Sequence, residues 1–223
     1  MPETIAVIGT GRMGGAFGVN FARLGHPVIF GSRDPAGAAV AGLLGNVQGS
    51  RAATPSAAAA AAQIVVLAVP WSAAEDTIKS LGDLTGKIVI DPTNALNFTP
   101  AGMEMAVSSS AGEIIQGWLP GAHVVKAFNT VGFFVIADPT VTDGPVATFI
   151  AGNDDGAKHR VSELATAMGF QPVDVGGIKN ARPLESMSIL YMVPYLTGKR
   201  DAAFEWAVRG TGNKATGKVR PAE

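Results

Sequence analysis

The stretch Thr4-Ile5-Ala6-Val7-Ile8-Gly9-Thr10-Gly11-Arg12-Met13-Gly14 decides the fold of this chain. Its first part is a short apolar run, rich in β-branched residues and closed by glycines, which predicts a buried parallel strand. An amphipathic stretch from about Met13 to Leu24 follows, and Gly25 stands where a helix C-cap is expected. Between strand and helix each glycine has its own job. Gly9 permits the tight turn, Gly11 lets the backbone approach a pyrophosphate, and Gly14 lets the helix sit close to the strand. The phosphates then lie at the helix N-terminus, where unpaired N–H groups and the dipole favour negative charge.

Outward from this loop the same alternation repeats. Val28-Ile29-Phe30, Ile64 to Val69, Lys87 to Asp91, His123 to Phe128, Ala147 to Ala151 and Gln171 to Val175 read as strands. Helices are predicted over about Pro35 to Leu44, Ala57 to Ala62 with Ser56 as N-cap, Ala73 to Leu81, Ala111 to Trp118 and Asp154 to Met168. Strand–helix alternation of this kind predicts an α/β fold, a Rossmann-type doubly wound parallel sheet. From about Ala181 to Val208, apolar residues such as Leu184, Ile189 and Val193 predict one or two helices that need a surface to pack on. The expected organisation is a nucleotide-binding domain over 1–177, a small C-terminal helical segment over 178–210, and a loose tail over 211–223.

Composition narrows the function. Hydrophobic residues make up 47% of the 223 and charged residues 16%, enough apolar material for a sizeable core. A net charge of −1 gives no concentrated basic surface for nucleic acid. With no cysteine, thiolate metal sites, iron–sulfur clusters and a catalytic thiol are excluded. His26, His123 and His159 are far apart, so no metal site is expected. The apolar runs are strand-length and the start lacks a secretory pattern, so a soluble, cytoplasmic protein is expected, with no membrane partner.

The end of the second strand selects the cofactor. An acid there would bond the ribose hydroxyls of NAD, whereas this chain has Ser32-Arg33 after Gly31. A guanidinium pairs with a phosphate and tolerates its charge, so NADP(H) is favoured. Arg12 is a second cation within reach of a phosphate, while Asp34 comes too late and faces the next turn or caps the helix. The remaining sheet ends carry Val69-Pro70-Trp71, Asn94-Ala95 and Asn129-Thr130-Val131. In an open parallel sheet these ends form the binding crevice and suit the nicotinamide half, although Asn and Pro are also common turn residues.

Together with Asp91-Pro92-Thr93-Asn94, Lys126 to Val131 and Ala181-Arg182-Pro183-Leu184-Glu185, these stretches fall in the order seen in NADPH-dependent coenzyme F420 reductases. The chain resembles that family over about residues 4 to 208. It is also similar to the cytosolic reductase domains of membrane-bound metalloreductases. The resemblance implies a Rossmann domain followed by a small helical domain, a homodimer, and direct hydride transfer from NADP(H) to a stacked deazaflavin. By motif position it implies that Thr10, Arg12, Met13, Ser32 and Arg33 hold the adenosine and phosphates. Val69, Pro70, Asn94 and Ala95 would flank the nicotinamide half; Asn129, Thr130, Val131, Gly132, Met187 and Tyr191 would face the acceptor. Coenzyme F420 or a flavin is thus the implied co-substrate. Some F420-using members have His where this chain has Asn129. The family's lysine shortly after the Ser–Arg pair has no counterpart in Pro35-Ala36-Gly37-Ala38.

Two other readings stand beside this one. An NADPH-dependent reductase of a small carbonyl, imine or quinone would need a proton donor, for which Tyr191, Lys126, Lys179 and His123 are the candidates. A non-catalytic NADP(H)-binding sensor would present the same cofactor loop.

Overall fold

The computed structural model describes residues 2–100, 102–198 and 204–209, excepting the Tyr195 side chain, so the expected tail over 211–223 lies outside the described residues. The first half of the chain forms β1 (Ile5–Ile8), α1 (Arg12–Arg23), β2 (Val28–Gly31), α2 (Ala38–Asn46), β3 (Arg51–Ala53), α3 (Pro55–Ala60), β4 (Ile64–Leu67), α4 (Trp71–Ser80) and β5 (Ile88–Asp91). A hairpin of β6 (Leu96–Thr99) and β7 (Gly102–Met105) follows, then α5 (Ala111–Trp118), β8 (His123–Lys126), α6 (Phe133–Ala137), β9 (Ala147–Gly152), α7 (Asp155–Ala167), β10 (Gln171–Asp174) and α8 (Ala181–Leu196).

Eight strands form one sheet in the order β10-β9-β8-β5-β4-β1-β2-β3. β1 is central and pairs in parallel with both β2 and β4, so its glycine loop opens where the strand order reverses. Alternate residues of β1 serve opposite faces. Ile5 and Val7 join Phe17, Phe21 and Phe30 in one core layer. Ala6 and Ile8 join Leu67, Ile78 and Ile115 in the other. Gly25, in the left-handed conformation at φ 82°, ends α1 and donates its N–H to Ala22 O at 2.9 Å.

The sheet is mostly parallel, not wholly so. β9 pairs antiparallel with β8 and parallel with β10. The β8–β9 connection carries only the five-residue α6 and a 3₁₀ turn at Pro139–Val141, too little to cross back to the far edge. α3 is capped by Thr54, which accepts from Ala57 N, and not by Ser56; Pro55 at the first helical position fixes the earlier start. The edge strand β3, the β6–β7 hairpin and α6 are additions to the predicted elements. The apolar C-terminal stretch makes one helix within the described residues, α8, and 204–209 has neither helix nor strand. Among the described residues no helix is long and apolar enough to cross a membrane.

Candidate cofactor cleft

At the carboxyl edge of β1 the chain turns on Gly9, whose φ of 112° is the left-handed region that glycine tolerates. A Cβ on Gly9 would lie 2.3 Å from Ala68 O, and one on Gly14 would lie 2.0 Å from Gly9 O. Backbone therefore stacks on backbone from β4 through the loop to α1. Gly11 differs: a Cβ there would meet nothing within 4 Å, so protein packing does not require a glycine at this position. Gly11 is also the N-cap of α1 without a side-chain cap bond, and the first turn holds no acid. The helix end is left with free N–H groups and an unneutralised dipole, which fits a pyrophosphate. Thr10 sits between these glycines, half-buried. Arg12 and Met13 open the helix, and the Arg12 guanidinium lies 5.5 Å from the centre of the Phe133 ring.

On the β2 side, Ser32 N donates to Ala53 O at 3.0 Å, and Ser32 Oγ accepts from Asp34 N at 3.2 Å. The Asp34 carboxylate turns back to Gly37 at the start of α2. Arg33 is exposed and has no ion pair among the described residues, so its guanidinium is available to a phosphate.

On the other side of β1, a cavity of about 640 Å³ is lined by Gly11 to Met13, Leu67 to Ser72, Pro92 to Asn94, Leu96 to Phe98, and Met192. It brings the glycine loop together with Val69, Pro70 and Asn94. Asn94 and Asn129 brace each other: Asn94 Nδ2 donates to Asn129 O, and Asn129 Nδ2 donates to Asn94 Oδ1, each at 2.9 Å. Asn129 Nδ2 also reaches Leu184 O at 2.9 Å, so this buried side chain joins α8 to the cleft wall. Phe128 just before it has φ 62°, the sole positive φ of a non-glycine residue among the described residues. Its ring is held edge-on by Phe17 and Phe170 at 5.3 and 5.5 Å.

Other expected contacts are covered. Ala95 is fully buried and gives its N–H to Glu185 Oε2 at 3.2 Å, so it does not present a side chain to the nicotinamide. Thr130 and Val131 are likewise buried. Gly132 N and Tyr191 Oη both donate to Glu205 Oε1, at 3.2 and 2.9 Å. Burial, with Glu205 beside it, pushes the Tyr191 hydroxyl well above its ordinary value. Burial also raises the Glu205 carboxyl. Met187 is half-buried on α8. Of the other donor candidates, Lys126 is fully buried between Asp91 and Glu185. His123 starts β8 at the opposite edge, 3.6 Å from Asp154, and Lys179 is exposed in a 3₁₀ turn away from the cavity. Sequence reading missed the hairpin wall of Leu96 to Phe98, Met192 and the role of Glu185; the last had a signal, since Glu185 closes the Ala181–Glu185 stretch.

A glycine loop at the strand-order reversal, an open cation beyond β2 and a cleft beyond β4 and β5 are the marks of a dinucleotide-binding α/β fold. Residues 4–95 match the family model "NADP oxidoreductase coenzyme F420-dependent". The chain is 32% identical over 203 residues to the F420-dependent NADP reductase of Methanothermobacter marburgensis, covering 83% of this chain and 89% of that protein. It is 30% identical over 188 residues to the rat metalloreductase STEAP3, covering 83% of this chain but 36% of that protein, so it spans about a third of that relative's length. A crystal structure of a candidate F420-dependent NADP reductase from Arthrobacter sp. FB24 superposes with a TM-score of 0.84 at 30% identity, covering 92% of this chain and all of that one. The chain belongs to the family of coenzyme F420-dependent NADP oxidoreductases, and it is an NADP-dependent oxidoreductase.

Proposed function

We propose that this enzyme passes hydride directly between NADP(H) and coenzyme F420 or a related flavin. One observation carries the reading: among the described residues, the lining of the 640 Å³ cleft includes no Asp, Glu, His, Lys or Tyr. Reduction of a carbonyl or imine draws on a positioned proton donor, and Lys126 and Tyr191 are both engaged elsewhere. Transfer between two flat rings needs orientation and exclusion of water, which an apolar cleft supplies. When bound, NADPH supplies the hydride, and solvent supplies the proton that completes reduction of the acceptor.

In this reading Arg33 and Ser32 hold the 2′-phosphate, and Gly9 to Gly14 receive the pyrophosphate. Val69, Pro70 and Asn94 flank the nicotinamide ribose. Trp71, stacked on Trp118 at 5.8 Å, walls the cleft beside them. The acceptor enters from the side of α8 and the hairpin, where Met192 and Phe98 line the opening. Residues 1–177 act as the nucleotide-binding domain, with α8 (Ala181–Leu196) as its helical supplement. The enzyme works as a homodimer in the cytoplasm; exposed Leu190, Val193 and Leu196 on α8 support the self-association.

The test is anaerobic mixing of NADPH and protein with F420, FMN, FAD or riboflavin, followed by acceptor absorbance. Bleaching of F420 or a flavin is expected, and no turnover with any of the four refutes the proposal. Tyr191→Phe should keep kcat within about threefold, because a general acid would contribute about 10²-fold or more. A loss of that larger size would return the reaction to the acid-assisted class.

A further inference from the structure

We infer that Asp91, Lys126 and Glu185 form a buried positioning device that sets the Thr93–Ala95 turn, and through it Asn94, against the nicotinamide half of the cofactor. All three side chains are fully buried. Lys126 Nζ lies 2.7 Å from Asp91 Oδ2 and 2.9 Å from Glu185 Oε1, and donates to Thr93 O at 2.6 Å. Lys126 thus makes one hydrogen bond and two buried ion pairs. Asp91 Oδ1 accepts from Thr93 N at 2.8 Å and Thr93 Oγ1 at 2.6 Å. Glu185 Oε2 accepts from Ala95 N, so both ends of the turn are held by buried charge.

The start of α5 supplies Glu185 with further donors: Ala111 N donates to Glu185 Oε2 at 2.9 Å, and Gly112 N to Oε1 at 3.1 Å. Close approach depends on Gly112, where a Cβ would lie 2.9 Å from Ala181 Cβ and 3.2 Å from Lys126 Cε. Arg182 then clamps Glu113 with two bonds of 2.7 and 2.8 Å, fastening α8 to α5 beside the cluster.

Stability alone does not call for this arrangement, because a buried ion cluster gains little over well-packed apolar side chains. Its bonds to Thr93 and Ala95 hold the turn whose Thr93 and Asn94 line the cleft. That turn follows β5, on the opposite side of β1 from Arg33, so it faces the nicotinamide half and not the 2′-phosphate. The same cluster seats α8, which brings Met192 to the cavity. Lys126 and Glu185 are thus positioning residues that touch neither cofactor nor acceptor.

The inference rests on NADP(H) occupying the cleft in the proposed orientation, but not on the identity of the acceptor. Its test compares full-length wild type, Lys126→Met and Glu185→Gln in titrations with NADPH and with 2′,5′-ADP, which keeps the 2′-phosphate half and lacks nicotinamide. Each variant is expected to bind NADPH about tenfold more weakly, lose the emission gain of bound reduced nicotinamide, and bind 2′,5′-ADP as wild type does. Thermal melts by circular dichroism establish that each variant is folded. Glu185→Gln retains the Lys126–Asp91 pair and carries the test if Lys126→Met does not fold. Folded variants that bind both ligands as wild type does, or weaken both equally, overturn the positioning role. A wild-type protein that binds 2′,5′-ADP as tightly as NADPH overturns the cleft orientation itself.

Discussion

Replacing Arg33 by Ala isolates the 2′-phosphate contact, because Arg33 is exposed and has no ion pair among the described residues to lose. Two unit charges 4 Å apart attract by about 1 kcal/mol in bulk water and about 4 kcal/mol at an effective dielectric of 20. Exposure puts Arg33 near the lower figure, while the nearly double charge of the phosphate and its charge-assisted hydrogen bonds raise it. A loss of about 2 kcal/mol follows, or roughly 30-fold in the Kd for NADPH. NADH lacks the phosphate, so its Kd should stay within about twofold. Raising the salt concentration should narrow the wild-type preference for NADPH, since the pair is open to screening. Parallel titrations of wild type and Arg33→Ala with NADPH and NADH, read by cofactor fluorescence, measure all of this. Equal weakening of both cofactors would refute the role of Arg33 and of the β2 end as a 2′-phosphate site.

Two further outcomes follow from the same geometry. Gly14→Ala forces a Cβ to 2.0 Å from the Gly9 carbonyl; overpacking of about 3 kcal/mol should lower Tm by roughly 6–12 °C. Gly11→Ala meets open space, so Tm should stay within about 3 °C while NADPH binding weakens. Melts and titrations on the pair check this, and equal Tm losses would refute the separation of roles. Burial raises the Glu205 carboxyl, so the folded protein holds that proton to higher pH than the unfolded chain does. Its stabilising contribution is present below the unfolded carboxylate's range and is lost as pH rises through the folded value. Glu205→Gln should therefore gain stability relative to wild type on going from acid to neutral pH. Denaturant melts at both pH values measure the difference, and a pH-independent one would remove the burial argument.

The parallel strands were legible because strands covered on both faces are continuous apolar runs, as in Ile64 to Leu67. The glycine loop was legible because three glycines at fixed spacing follow such a run. β3 was not, since Arg51-Ala52-Ala53 is three residues on an edge with no apolar pattern. The hairpin escaped because Asn97 and Phe98 are exposed, so burial imposed no alternation on it. α6, five residues long, is too short to display a helical period. Ala95, Thr130 and Val131 stand at strand ends, where ligand contacts are expected, but tertiary packing that no local pattern displays buries them. The partnership of Lys126 with Glu185 could not be read at all, because it joins residues far apart in sequence whose meeting depends on α8 docking.

The stacking of Ala68 on Gly9 and of Gly9 on Gly14 bears on how such an enzyme can diverge. A side chain at Gly9 must displace the chain leaving β4 at Ala68 and Val69, and one at Gly14 must displace Gly9 itself. A substitution at either position therefore disturbs the other. Phe98, exposed on β6 of the hairpin, carries no such interlock. The frame therefore tolerates a changed side chain at the hairpin more readily than at the glycine loop.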